Sequence, residues 1–344
     1  MSERVPDPAL HGSAREPRTD SPPVRPNSVR RIAWLDMDRP HGTGGALALH
    51  GRAWDFEIDT YRQPSVRESV ALRAAVDYHR GRRLTDIESS PVVPGLESLV
   101  GHPAIAGFRG RVADAAGGVP SPLALLLDDV PMGTLISGHA VSAAREAEDE
   151  HVTAGTGYVP VGDQCAGYTA NGALIATIGV RGRGPVADGP VAPPVDDAFG
   201  RSPGTLAVHS MRRRRRIDRW VAAGAIHIDA MFRDTYGRAD GVETVIHEYG
   251  LTVVADAATG VIREAVATPR VLPWFDCPGA VPSAGRLVGT TLDQVEGRVR
   301  REFRGVDTCT HLNDLLRSIA LERVSYFVRD LSQIQTAERT TPAR

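Results

Sequence analysis

Thr244-Val-Ile-His-Glu-Tyr-Gly-Leu-Thr-Val-Val-Ala-Asp-Ala-Ala-Thr-Gly260 decides the fold class of this chain. Val245, His247, Tyr249, Leu251 and Val253 occupy alternate positions, so they share the apolar face of a half-buried strand. The strand runs into a five-residue turn, Asp256 onward, whose final glycine supplies the positive φ that such a turn needs. An earlier stretch repeats the arrangement with Val70, Leu72, Val76 and the turn Asp77-Tyr-His-Arg-Gly81. Asp55 and Asp234, Leu72 and Leu251, Asp77 and Asp256, and Gly81 and Gly260 are all 179 positions apart. Matches that accumulate at one offset are the signature of an internal repeat.

The expected fold is therefore α+β, a tandem duplication of a small antiparallel-sheet-plus-helices unit joined by a Pro/Gly-rich bridge. Two unrelated α+β domains are the competing reading. The first copy is assigned to residues 28–141 and the second to 209–332, with the bridge at 142–208 and tails at 1–27 and 333–344. Later landmarks drift, since Leu99-Val-Gly101 matches Leu287-Val-Gly289 and Phe108-Arg-Gly110 matches Phe303-Arg-Gly305. Insertions in the second copy account for the drift. Within these units the apolar run from Pro122 toward Ile136 reads as a helix, residues 143–150 as an acidic helix, 173–180 as strand-like and 292–303 as a helix. Strands of the second unit are expected at 225–228, 244–254 and 261–267. Residues 1–27, rich in Pro, Arg and Ser, read as a disordered tail.

Composition limits the function. Apolar residues make up 42% of the 344-residue chain and charged residues 24%, which is ordinary for a globular protein with a sizeable core. No apolar run is long enough to span a bilayer, so no membrane role is expected. A net charge of −2 offers no global field for polyanions. The basic run 212–216 also lacks interleaved aromatics, so it reads as a solvated strand start or charged edge and not as a nucleic-acid site. Every one of the 40 basic residues is arginine, which removes lysine Schiff bases and lysine phosphate loops. Three widely spaced cysteines, Cys165, Cys277 and Cys309, argue against a disulfide framework and for a reducing cytoplasm.

The most reactive stretch is Phe303-Arg-Gly-Val-Asp-Thr-Cys-Thr-His-Leu-Asn-Asp-Leu-Leu-Arg-Ser-Ile-Ala-Leu321. Leu312, Leu315, Leu316 and Ile319 fall at helical spacing, and Asp307 or Thr308 can cap the helix, so Cys309 and His311 are expected in its first turn. A helix N-terminus favours thiolate. Cys277, Cys309 and His311, with Cys165 or Asp163 as a fourth group, are a ligand set suited to zinc or iron. Without a metal, Cys309 can act as a nucleophile with His311 or His247 as its base. The same residues also have bland readings, as buried cysteines, a capping histidine and a satisfied core histidine. Arg304, Arg233 and Asp234 are candidate contacts for a small carboxylate or thioester. The first copy has Pro120, Pro122 and Glu68 where the second has Cys309, His311 and His247, so the chemistry is expected in the second copy alone.

Residues 207–324 resemble a bacterial family known as domain of unknown function 2889. The resemblance rests on Met211-Arg-Arg-Arg-Arg-Arg-Ile217, Phe232-Arg-Asp-Thr235, His247, the segment from Pro273 to Cys277 and Cys309-Thr-His-Leu-Asn-Asp314. It implies no established activity. The order hairpin, cysteine, helix, cysteine is also similar to scaffold and sulfur-acceptor proteins of iron–sulfur assembly, although Asp276-Cys277-Pro278 stands where those have a glycine-cysteine pair. Three functions are open: a metal-dependent or thiol enzyme acting on a small anionic molecule, a metal or sulfur carrier, and a non-enzymatic binding protein.

Overall fold

The computed structural model describes residues 8–117, 119, 121–147, 161–181, 184–194 and 199–320. After a short helix, α1 (Pro8–His11), the chain lays down β1 (Ser28–Asp38), β2 (Leu47–Ile58), β3 (Pro64–Asp77) and β4 (Arg83–Ser90). A 3-10 segment (Leu96–Leu99) follows, then α2 (Phe108–Ala115), α3 (Ser121–Ile136) and α4 (Gly138–Ala147). Helix α5 (Ala173–Arg181) lies in the connection. The second series is β5 (Met211–Ala222), β6 (Ala225–Gly237), β7 (Glu243–Asp256) and β8 (Ile262–Val271), then a 3-10 segment (Cys277–Leu287), α6 (Val295–Glu302) and α7 (Thr310–Ser318). The fold is thus α+β, as expected.

All eight strands form one antiparallel sheet in the order β4-β3-β2-β1-β5-β6-β7-β8. Each run of four is a meander, and the two meanders meet where β1 pairs with β5. Alternation assigns the faces. Leu35, Met37, Leu47 and Leu49 point to the helices and are fully buried there with Tyr249 and Phe232, each large apolar side chain contributing about 1.5–3 kcal/mol. The opposite face carries a second, aromatic cluster of Ile32, Trp34, Trp54, Phe56 and Ile58, on which Val24 and Phe199 pack.

The two series share fine detail. The β2–β3 pairing shifts register after Asp55 and the β6–β7 pairing after Asp234. After β4, the Gly101 N–H donates to Leu84 at 2.7 Å and Leu84 to His102 at 2.8 Å; after β8, Gly289 donates to Ile262 at 2.8 Å and Ile262 to Thr290 at 2.9 Å. Gly101 and Gly289 hold φ of 85° and 82°, which a side chain would resist. Phe108-Arg-Gly110 and Phe303-Arg-Gly305 do not correspond, because Phe108 opens α2 whereas Phe303 follows α6.

Several local expectations change. Residues 173–180 are helical, forming most of α5, because an apolar run of that length fits either a strand or a buried helix. The arginine run 212–216 lies in β5, a central strand and not an edge. Residues 8–18, expected in a tail, run along β8: Leu272 N–H donates to Ala14 at 2.9 Å, Glu16 N–H to Arg270 at 2.9 Å, and Phe275 N–H to Leu10 at 2.8 Å. Of the acidic helix expected at 143–150, residues 148–150 lie outside the described residues, as does the tail from 333.

Candidate functional site

A buried ion network underlies the site. Arg213 of β5 and Asp234 of β6 face each other across the strands, and the guanidinium grips the carboxylate through Nε and Nη2 at 2.7 and 2.8 Å. Its third nitrogen donates to Asp129 of α3 at 3.2 Å and to Asp314 of α7 at 3.1 Å. Arg215 grips Asp129 at 2.5 and 2.7 Å, Arg109 of α2 bridges Asp128 and Asp314, and Arg317 reaches Asp314 and Asp128. Four arginines and four aspartates cancel, which is how charges persist in a core. The neighbouring carboxylates hold the Arg213 and Arg317 pKa values above the usual range despite burial, and the guanidinium groups of Arg317, Arg109 and Arg213 overcome burial to hold Asp314 below its usual range. On the other face Arg30 pairs with Asp218, and Arg212 with Asp36. The arginine run is therefore a set of core and cross-sheet partners, which corrects its reading as solvated charge. The signal was present in Asp128-Asp129 inside an apolar helix and in Asp314, acids with no reason to be buried unless cations meet them.

Two histidines stand over this network. His247 pairs with Asp234 across β6 and β7, its Nδ1 3.8 Å from the carboxylate. The His311 ring, in the first turn of α7, lies on the His247 ring with centroids 3.8 Å apart and planes 18° from parallel. Ligand atoms of Asp234, His247 and His311 all lie within 4.8 Å of one another, the one such group of three among the described residues. His247 Nδ1 and His311 Nε2 are buried with no hydrogen-bond partner. Burial drives both rings toward the neutral form: His311 falls to about 3, with Arg213 adding to the effect, and His247 drops well below its usual value, with His311 adding. His139 of α4 acts on His247 from nearby, stacks edge-on against Tyr236 at 4.9 Å, and is itself lowered to about 4 by burial.

Cys309 is the N-cap residue of α7, so the cap is neither Asp307 nor Thr308. Its sulfur is 3.8 Å from His311 Nδ1. The thiol is nevertheless pushed up to about 12, because burial outweighs the N–H groups of Leu312 and His311 that face it without closing a regular cap bond. A thiolate at this helix start is thus not the resting form. Cys277, buried at the start of its 3-10 segment, is raised well above the usual thiol range by burial and then by Cys309. Cys165 arrives from the connection, where Ala166 N–H donates to Thr308 at 2.9 Å, and burial raises it too. Gly167 covers Cys277 so closely that a Cβ there would stand 2.6 Å from the sulfur. The Tyr249 hydroxyl sits beside these thiols, its pKa raised by burial and then by Cys309.

The structure thus gathers Asp234, His247 and His311, sets the Cys309 sulfur against His311 Nδ1, and brings Cys277 and Cys165 beside Cys309 without drawing the cysteines into a close ligand triad. Three candidates fall elsewhere. Arg233 points to the opposite face, where it grips Glu248 at 2.6 Å and donates to the Arg18 carbonyl at 2.5 Å. Arg304 is exposed and donates to the Arg300 carbonyl at 3.3 Å. Asp163 turns back on its own loop, accepting the Ala170 N–H at 2.8 Å. Sequence reasoning missed Arg213, Asp129, Asp314, Tyr249 and His139. No helix among the described residues is long and apolar enough to cross a membrane.

No curated protein and no solved structure matches the chain. Residues 211–324, from the first arginines of β5 past the end of α7 and including both histidines and Cys309, match the family described as protein of unknown function, DUF2889.

Proposed function

We propose that this protein is a metal-dependent enzyme whose ion, zinc or iron, is held by Asp234, His247 and His311, with Cys309 as a fourth ligand. The observation that carries the proposal is the pair of buried, partnerless ring nitrogens, His247 Nδ1 and His311 Nε2. A buried polar atom left unbonded calls for an ion or water. The donor set suits a borderline-soft divalent metal, and burial keeps both imidazoles neutral, the form that binds. Asp234 spends two oxygen lone pairs on Arg213 and retains others. The two rings lie nearly parallel, so an ion shared by them would require one ring to turn, and Cys309 as a ligand would give up its proton.

A metal-free Cys309–His311 nucleophile is less favoured, because burial opposes the thiolate and the imidazolium together. A carrier would need to release its metal readily, and ring nitrogens buried between the sheet and α7 do not favour that. Elemental analysis of protein purified without a histidine tag tests the reading. About one equivalent of zinc or iron is expected, lost in His247→Gln and in His311→Gln. Metal-free protein that takes up neither ion on reconstitution would end it.

Two wider readings belong with this proposal. The shared register shifts, turns and glycine positions support a tandem duplication, with the site in the second copy only and the connection 142–208 as a bridge. Three free cysteines support a reducing, cytoplasmic setting, and the pairing of Arg212, Arg213, Arg215 and Arg216 with acids in the sheet supports the view that the run binds no nucleic acid.

A further inference from the structure

Tyr249 stands two residues beyond His247 in β7, so strand alternation sets its side chain on the same helix-facing side of the sheet. The ring is fully buried and packs on Phe232, centroids 5.9 Å apart, and the Phe232 ring in turn lies 6.3 Å from that of His311. The hydroxyl is buried too and closes no regular hydrogen bond. Of the three nearby thiols, Cys309 interacts with it most strongly and is the one its O–H can reach.

Packing gives no reason for that oxygen. A buried hydroxyl without a partner costs free energy, and phenylalanine would fill the same space without the cost. In the first meander the matching position is apolar: Ala53 faces Val70 where Phe232 faces Tyr249, and Val70 stands two residues beyond Glu68 as Tyr249 does beyond His247. At this position the hydroxyl is peculiar to the half that carries the two stacked histidines.

A protonated thiol is a weak acceptor, whereas a thiolate is a strong one. A hydroxyl poorly met while Cys309 keeps its proton gains a charge-assisted partner once a metal replaces that proton. We infer that Tyr249 is a positioning residue of the candidate metal site, donating its O–H to the Cys309 sulfur and holding that sulfur toward the ion. The inference rests on the proposed site of Asp234, His247, His311 and Cys309. An outer-shell hydrogen bond of this kind steadies a ligand and tunes its electron donation.

Tyr249→Phe tests it, because the change removes one oxygen and keeps the ring. Zinc affinity, measured by chelator competition, should fall about 10–100-fold, the loss usual for an outer-shell partner. With cobalt(II) in place of zinc, the sulfur-to-metal charge-transfer band should move to longer wavelength as the thiolate loses its donor. Adding the change to Cys309→Ala should cost little further affinity, since no sulfur is left to hold. The urea midpoint of the metal-free variant should equal or exceed that of the metal-free parent. A lower midpoint would make the hydroxyl a structural group and overturn the inference. Unchanged affinity with an unmoved band, or losses that simply add, would also overturn it while leaving the site standing. A parent that binds neither ion would overturn the site and this inference together.

Discussion

The two four-stranded halves place the same ion pair at the same point and then diverge around it. In the first half Arg31 of β1 grips Asp55 of β2 at 2.6 Å through both nitrogens, and the residue beside Asp55 on β3 is Glu68. In the second, Arg213 grips Asp234, and the residue beside it on β7 is His247. Over the first pair lies the start of α3, which offers Arg31 only the hydroxyl and carbonyl of Ser121. Over the second lies α7, which offers Arg213 the Asp314 carboxylate and sets His311 on His247. The pair common to both halves is thus scaffold, and what differs is the candidate chemistry. Asp234 is best understood as both: a structural partner of the kind found in both strand pairs, and a carboxylate placed where the second half's histidines can share it.

Removing the arginines should separate the halves most strongly. Arg213→Ala leaves Asp234 without its cation and takes one partner each from Asp129, which keeps Arg215, and from Asp314, which keeps Arg109 and Arg317. Breaking a buried pair costs about 3–5 kcal/mol. Arg31→Ala leaves only Asp55 without its cation, so its cost should fall below that of Arg213→Ala. Urea titration of the two variants measures this, and equal losses would show that α3 and α7 contribute equally to their pairs. A second variant, Arg213→Met with Asp234→Leu, should recover part of the loss by removing both buried charges, at the expense of the site.

The pH dependence should follow the histidines. His311, lowered to about 3, His139, lowered to about 4, and His247, lowered well below its usual value by burial, bind protons in the unfolded chain near pH 6.5 but not in the fold. Unfolding then takes up protons, so stability is full above about pH 6.5 and falls as the pH drops toward the folded values. Each histidine contributes a slope of at most about 1.4 kcal/mol per pH unit. Asp314 adds loss only at still lower pH, as it protonates below the usual carboxylate range. Denaturation midpoints from pH 7.5 to 5 should fall, and His311→Gln should flatten the fall by about one histidine's share. An unchanged slope in that variant would mean the ring is protonated in the fold.

How much of this was legible beforehand follows from how local each signal is. The strand–turn units at 55–81 and 234–260 were readable because alternation and a positive-φ glycine are local facts, and the apolar stripe of α7 was readable for the same reason. The placement of β5 was not. Five consecutive arginines look like solvent, and only the distant Asp129, Asp234 and Asp36 reveal a central strand. The thiolate expectation for Cys309 failed similarly, since the helix start is local but the burial that overrules it is supplied by the rest of the fold.

Gly167→Ala probes the lid over Cys277 with a smaller effect. Its Cβ would stand 2.6 Å from the Cys277 sulfur and 3.5 Å from the Trp274 ring, so the turn Ala166–Tyr168 must shift. The expected cost is about 1–3 kcal/mol, as for overpacking elsewhere. Alkylation of Cys277 by a thiol reagent under native conditions should quicken as the lid lifts, while Cys277→Ala in the same background should relieve the strain. If the rate stays that of the parent, the lid does not govern access to that thiol.

The smallest effect is expected at Glu68, the first half's counterpart of His247. Burial and then the nearby Asp55 raise its pKa, so the fold binds its proton more readily than the unfolded chain does. The sign is opposite to that of the histidines: the stability this group contributes is present in acid and is lost as the pH rises through the folded pKa. Glu68 is half-exposed, so solvent screens much of this. Glu68→Gln should therefore shift stability by about 0.5 kcal/mol or less at neutral pH and leave metal content unchanged. His247→Gln, at the matching place, should abolish metal content. If the two variants lose metal alike, or neither does, position 247 is no more functional than position 68, and the difference between the halves is one of packing alone.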